Sequence, residues 1–299
     1  PLPTTSSPTQ SPVTPSPTTS PTKAPSRPAT MASILFNRAS CDQSIVAPTN
    51  YDSVVNVTGD VFINHCDSQL FYDNLLPALK HIKGNLRIES NSGILSLTDT
   101  FLQNLETIDG NLVIRANGAF HSAINMFPAL KKIGGYLYIR DLNKLHTLGN
   151  SFSALERVDA YIHLENLQNF NSTEGAFPNL ITMTYLYLHG LPELATLSNA
   201  FSSINTFGLN GRNHWLHGQV SIYLDSLGSL TSFGTAFKAV SQIPLGIFCQ
   251  QVNQLANYSA FDNLQCNRGF INCPNVPVDL DNLQSCFTTT PSPTNSGQP

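Results

Sequence analysis

Apolar residues in the middle of this chain recur with two periods at once. Over five residues they alternate with polar ones, as in Asn85-Leu86-Arg87-Ile88-Glu89 and Tyr136-Leu137-Tyr138-Ile139-Arg140. Alternation with period two predicts a short strand with one face buried. Over a longer period the whole phrase returns, as LPALKHIKGNLRI (76–88), LQNLETIDGNLVI (102–114), FPALKKIGGYLYI (127–139), FSALERVDAYIHL (152–164) and FPNLITMTYLYL (177–188). The anchor leucines Leu79, Leu105, Leu130, Leu155 and Leu180 stand 26, 25, 25 and 25 residues apart. Ile204 and Val240 continue the series, and VTGDVFI (57–63) reads as a partial first copy.

Each copy adds a Leu-x-x-Leu-x-x-Leu piece, such as LNKLHTL (142–148), and is broken by Gly, Asn and Pro before a helix has room to form. The economical arrangement is a coil that returns above itself about every 25 residues. Equivalent strands then stack in parallel, and Leu, Ile and Phe form ladders inside. The fold expected is all-β, a parallel β-helix or solenoid with disulfide-capped ends.

The period also places the outward positions. They form three columns: Asp60, Asn85, Asn111, Tyr136, Tyr161, Tyr185; then Phe62, Arg87, Val113, Tyr138, His163, Tyr187; then Asn64, Glu89, Arg115, Arg140, Glu165, His189. A further strand in QVSIYL (219–224) would add Gln219, Ser221 and Tyr223. Five of the nine tyrosines thus gather in three consecutive coils on one outer face. Tyr and Arg are enriched at binding hot spots, and contiguous exposed aromatic surface marks interaction sites. The step from Ile204 to Val240 is 36 residues, so a loop is inserted there, carrying the only tryptophan, Trp215, between His214 and His217. The candidate interaction surface is Tyr136, Tyr138, Arg140, Tyr161, His163, Tyr185, Tyr187, His189 and Trp215. Aromatic residues also favour strands for packing reasons alone, which is the plainer explanation of the columns.

Composition narrows the setting. Residues 1–30 and 288–299 are mostly Pro, Ser and Thr, and read as a stalk or linker and a tail around a folded unit at 31–287. Only 11% of residues are charged, with a net charge of −4, so there is no basic field for nucleic acid. No apolar run is long enough to span a membrane. The chain opens without a signal-like segment and ends without a hydrophobic tail, which reads as a mature or excised portion of something secreted.

Six cysteines sit only at the flanks: Cys41 and Cys66 before the repeats, Cys249, Cys266, Cys273 and Cys286 after them. An even count so placed predicts disulfides that seal the ends, in an oxidising compartment, with the pairing of the last four left open. Asn56, Asn171 and Asn257 lie in N-glycosylation sequons.

The phrases IDGNLVI, IGGYLYIRDL and LTSFGTAF resemble the receptor L domain, the leucine-rich right-handed β-helix of insulin- and epidermal-growth-factor-type receptor ectodomains. One such domain between Ser/Thr-rich stretches is also similar to fungal and protist cell-surface relatives, wall glycoproteins among them. The resemblance covers about residues 41–286. It implies a ligand-facing sheet, but the chain carries no furin-like region, second L domain or kinase.

No catalytic motif, cofactor or metal set emerges, and Glu89 and Glu165 stand three coils apart with Arg115 and Arg140 between them. The expectation is a non-catalytic, secreted structural or adhesive module of a cell surface, wall or appendage. Its partners would be other extracellular proteins or copies of itself. The alternative is a receptor-type ectodomain for a peptide or a glycan.

Overall fold

The computed structural model describes residues 29–37, 51–68, 72, 75–208, 220–241, 243–255 and 271–273. Trp215 and its flanking histidines, Cys41, Cys266, Cys286, Asn257 and nearly all of both Pro/Ser/Thr segments lie outside that set.

The chain winds as an all-β parallel solenoid of about eight turns, with no helix among the described residues. Two sheets form its main sides. The wide sheet stacks Ile34–Phe36, Val61–Asn64, Leu86–Glu89, Leu112–Arg115, Leu137–Arg140, Tyr161–Glu165, Tyr185–His189, Ile222–Asp225, Ile247–Gln250 and Ile271–Asn272 in chain order. The narrow sheet stacks Ala29–Met31, Val54–Val57, His81–Ile82, Thr107–Ile108, Lys132–Ile133, Arg157–Val158, Thr182–Met183 and Thr206–Phe207. A third side is closed by Ser96–Leu97 against Ser122–Ala123 and by single bridges such as Thr147 to Ser172. Every strand pairing is parallel, as a coil returning above itself requires.

The anchor positions Leu79, Leu105, Leu130, Leu155, Leu180, Ile204 and Val240 are all fully buried. Beside them runs a column of rings: Tyr72, Phe101, Phe127, Phe152, Phe177, Phe201 and Phe237, with successive centroids 5.1–6.1 Å apart. Each coil's apolar residues are thus buried against the coils before and after it. Truncating a member such as Phe127 to Ala should cost about 3–5 kcal/mol.

At each of the eight corners that fall on described residues, the coil turns away from the wide sheet through a residue in the left-handed region. His65, Ser90, Ala116, Asp141, Asn166, Gly190, Ser226 and Gln251 all have φ between 53° and 64°. Glycine is used once in eight, so the corner is imposed by the ladders on either side rather than by local preference.

At the C-terminal end Cys249 is bonded to Cys273, one coil and 24 residues later. The bond continues the in-register pairing of Ile247 with Ile271 and Phe248 with Asn272, and pins the last strand of the wide sheet. Cys66, buried near the other end, is also disulfide-bonded. These bonds fit the expected sealing of the ends and an oxidising compartment. No helix among the described residues is long and apolar enough to cross a membrane.

Candidate functional site

The outer face of the wide sheet carries the three expected columns in register. Phe62, Arg87, Val113, Tyr138, His163 and Tyr187 are consecutive strand partners, as are Asn64, Glu89, Arg115, Arg140, Glu165 and His189. The expected seventh strand is displaced by two residues. Tyr187 pairs with Tyr223 and His189 with Asp225, so Ser221, not Gln219, extends the first column. An alternating pattern is unchanged by a shift of two, and the 36-residue coil removes the period that would have fixed it. The second column then continues to Phe248, which sequence reasoning missed although LGIFCQ (245–250) repeats the same alternation.

The first column changes character half-way, and the residue before it explains why. Asp60 Oδ1 accepts a hydrogen bond from the Asn85 backbone N–H at 2.6 Å, Asn85 Oδ1 from Asn111 N–H at 2.9 Å, and Asn111 Oδ1 from Tyr136 N–H at 3.0 Å. Each accepting oxygen occupies the space where the preceding residue of the next coil would carry a Cβ. A Cβ on Gly84 would stand 2.3 Å from Asp60 Oδ1, and one on Gly135 2.0 Å from Asn111 Oδ1. Hence the sequence reads Gly-Asn, Gly-Asn, Gly-Tyr. Tyr136 offers no such acceptor to the next coil, and there the pair becomes Ala160-Tyr161, then Thr184-Tyr185.

From Tyr136 onward rings replace amides. Tyr136 stacks on Tyr161 at 4.8 Å and Tyr161 on Tyr185 at 4.6 Å. In the second column Tyr138 stacks on His163 at 4.6 Å, His163 meets Tyr187 edge-on at 4.0 Å, and Tyr187 stacks on Tyr223 at 4.8 Å, followed by Phe248 at 5.3 Å. These distances match the strand spacing, as rings on adjacent parallel strands must.

Stacking alters the expected exposed surface. The rings lie outside the apolar core, yet Tyr185, Tyr187 and Tyr223 keep only 7%, 9% and 8% of their surface exposed. Tyr136, Tyr138, Tyr161 and His163 are half-buried. Tyr136 begins its column above Asn111, so no ring of the preceding coil covers it.

Burial governs the protonation of this face. It is the main cause raising the Tyr138 hydroxyl to about 12, reinforced by the hydrogen bond to Glu165 and opposed by Arg140. Burial, then the neighbouring Tyr136, raises Tyr161 to about 12. Burial first, then His189 and Arg140, pushes His163 down to about 3, so its ring is neutral in the stack. The Arg140 guanidinium is held charged by hydrogen bonds to Tyr138 and Asp141.

The third column pairs its charges internally. Arg115 meets Glu89 at 3.1 Å, and His189 Nδ1 lies 3.0 Å from Asp225. Between them sits the densest polar cluster on the face. Tyr138 donates its hydroxyl proton to Glu165 Oε2 at 2.5 Å, and Arg140 Nη1 donates to the Tyr138 oxygen at 3.0 Å. His163 Nε2, buried without a hydrogen-bond partner, is 3.4 Å from the same Glu165 oxygen.

Elsewhere, Asn171 is exposed on the third side, whereas Asn56 is a half-buried position of the narrow sheet between Thr30 and His81. Among the described residues no group of three or more His, Cys, Asp or Glu side chains could hold a metal ion. A shallow cavity of about 240 Å³ lies against the narrow sheet, lined by Arg157, Thr182, Met183, Thr206 and Gly208 among others. No protein family model, no curated protein and no solved structure matches this chain.

Proposed function

We propose that this chain is a non-catalytic extracellular module of a cell surface, wall or appendage, and that it meets its partners through the aromatic half of the wide sheet. The observation that carries the reading is the pair of in-register ring columns starting at Tyr136 and Tyr138, which stand outside the core and share one face. The Pro/Ser/Thr-rich ends, the low charge content and the disulfide support an extracellular setting. The repeat phrase supports placing the chain near receptor-L-domain-like surface proteins. The partner is another extracellular protein or a second copy of this chain, and neither a cofactor nor nucleic acid is involved.

A second reading, a receptor-type ectodomain binding a peptide or glycan, draws on Tyr136. Inside the columns, ring faces are taken up by other rings and cannot stack on a sugar. At the heads of the columns the coil before offers Asn111 and Val113 rather than rings, so Tyr136, like Tyr138, keeps one face that no ring of that coil covers.

The test is light scattering of the full chain, wild type against Tyr136→Ser/Tyr161→Ser and against Lys132→Glu/Arg157→Glu on the narrow sheet. Self-association lost only in the tyrosine pair supports assembly through the wide sheet. Association lost only in the narrow-sheet pair overturns it. A monomeric wild type sends the same variants to a glycan and peptide binding screen, where Tyr136→Ser decides the second reading.

A further inference from the structure

The polar cluster at Tyr138 points to chemistry that docking does not require. A phenol is hard to oxidise by one electron unless its proton can leave at the same time. Here the proton already has an acceptor, because the Tyr138 hydroxyl donates to Glu165 Oε2 at 2.5 Å. The Tyr138 oxygen is fixed by Arg140 Nη1, and Arg140 is itself anchored on Asp141 at 2.7 Å. The Tyr72 hydroxyl, by contrast, donates to the Cys66 carbonyl, a group that takes no proton.

We propose that Tyr138 is a one-electron oxidation site, with Glu165 as its proton acceptor, and that the stacked tyrosines relay the radical to a phenol that couples with another. The oxidant is an external one-electron acceptor of the class of an oxidised haem peroxidase centre. In the first step the oxidant takes one electron from Tyr138 while the phenolic proton passes to Glu165. A phenoxyl radical and a neutral carboxylic acid result. Tyr136, at the head of the other column, lies 6.5 Å from Tyr138 and can return the electron to it: Tyr136 loses its phenolic proton to water as it is oxidised, and Tyr138 takes its own proton back from Glu165. Two phenoxyl radicals form one carbon–carbon bond ortho to their oxygens. As each ring regains aromaticity its ortho C–H proton passes, by way of water, to its own oxygen, giving a dityrosine with no net proton released. The raised protonation of Tyr138 agrees with a site that loses its proton only together with an electron. The proposal does not rest on the face being a docking surface, since the first step needs only this chain and the oxidant.

The experiment uses the full chain and a flash-generated ruthenium(III) polypyridyl oxidant at pH 7. The phenoxyl radical is followed by absorbance, which separates it from an indolyl radical at Trp215, and dityrosine is mapped by peptide mass spectrometry. Glu165→Gln keeps the shape of the side chain and removes the base. It should slow phenoxyl formation by about tenfold, the scale of one charge-assisted hydrogen bond. Tyr138→Phe, which keeps the ring in the stack, should show the same loss. Tyr136→Phe should keep the initial rate and lower the dityrosine yield. Wild-type rates in both Glu165→Gln and Tyr138→Phe would overturn the assignment. If Glu165→Gln fails to fold by circular dichroism, Tyr138→Phe alone decides.

Discussion

Asn117 holds Asn91 twice across one turn of the solenoid. Its Oδ1 accepts from the Asn91 backbone N–H at 2.9 Å and from Asn91 Nδ2 at 3.0 Å, with both residues sealed from solvent. The pattern extends both ways: Asn91 Oδ1 accepts from Cys66 N–H, and Asn117 Nδ2 donates to the Ile88 carbonyl. In the following coils the same inward place is taken by Leu142, Leu167 and Leu191. Leucine is therefore the obvious exchange, and we expect it to fail. Asn117→Leu leaves Asn91 N–H buried without its acceptor, worth about 1–3 kcal/mol, and takes from the Ile88 carbonyl the donor it has beyond the strand ladder. Urea unfolding should register a loss of roughly 3 kcal/mol. A near-neutral result would mean that these backbone groups find other partners.

Gly135 is fixed by its neighbour one coil back rather than by its own backbone. In Gly135→Ala the new methyl displaces Asn111 Oδ1, and Tyr136 N–H loses its acceptor. Lost hydrogen bonding outweighs the about 0.4–1 kcal/mol that Gly→Ala can return through the unfolded chain. We expect net destabilisation of about 1–2 kcal/mol, and less than additive loss when Asn111→Ala is combined with it. Ala160→Gly, with no acceptor beneath it, should cost only its backbone entropy. Equal losses at the two sites would sink the explanation.

His163 makes the fold sensitive to acid. Its folded-state value lies near 3 against an ordinary 6.5, so between those limits the unfolded chain binds a proton that the folded chain does not. Stability is then greatest above pH 6.5 and falls as the pH drops towards 3. The slope from this residue is at most about 1.4 kcal/mol per pH unit. His163→Phe keeps an aromatic ring and removes the proton. Thermal melts from pH 7 to 4 should show the variant losing less than the wild type, and parallel curves would refute it.

The Cys249–Cys273 bond closes a loop of 24 residues, a restraint worth roughly 3 kcal/mol on the unfolded chain. Because each coil touches only its neighbours, reduction should loosen one end and not the whole. Hydrogen exchange under reducing conditions should rise first in Ile247–Gln250 and Ile271–Asn272, while Leu137–Arg140 stays protected. Uniform loss of protection would show a single cooperative unit instead.

Much of this was legible in the sequence. The 25-residue return of Leu79, Leu105, Leu130, Leu155 and Leu180 is a property of composition along the chain, and it fixes both the solenoid and the outward columns up to Tyr187. Three things escaped it. The register of Tyr223 did, because alternation alone has a two-residue ambiguity once the period is interrupted. The burial of Tyr185 and Tyr187 did, because facing away from the core does not expose a ring that its own neighbours cover. The inward Asn91 and Asn117 did, because a polar residue at a coil corner reads as surface until its backbone partners are known. In retrospect the change from Gly-Asn to Ala-Tyr was a readable sign that the first column exchanges amides for rings.

That exchange divides the molecule into a keyed half and a sliding half. Between Asp60 and Tyr136 each turn is locked to the next by a side-chain oxygen that must meet one particular N–H, so a coil of different length would leave the key without its slot. Between Tyr187 and Tyr223 the column is held by flat surfaces that meet equally well whatever path the backbone took to arrive, with the His189–Asp225 contact beside them. The one long coil, 36 residues from Tyr187 to Tyr223, falls in the sliding half. New loops can therefore be grafted among the aromatic turns without disturbing the turns below, which makes that half the part of the scaffold free to diversify.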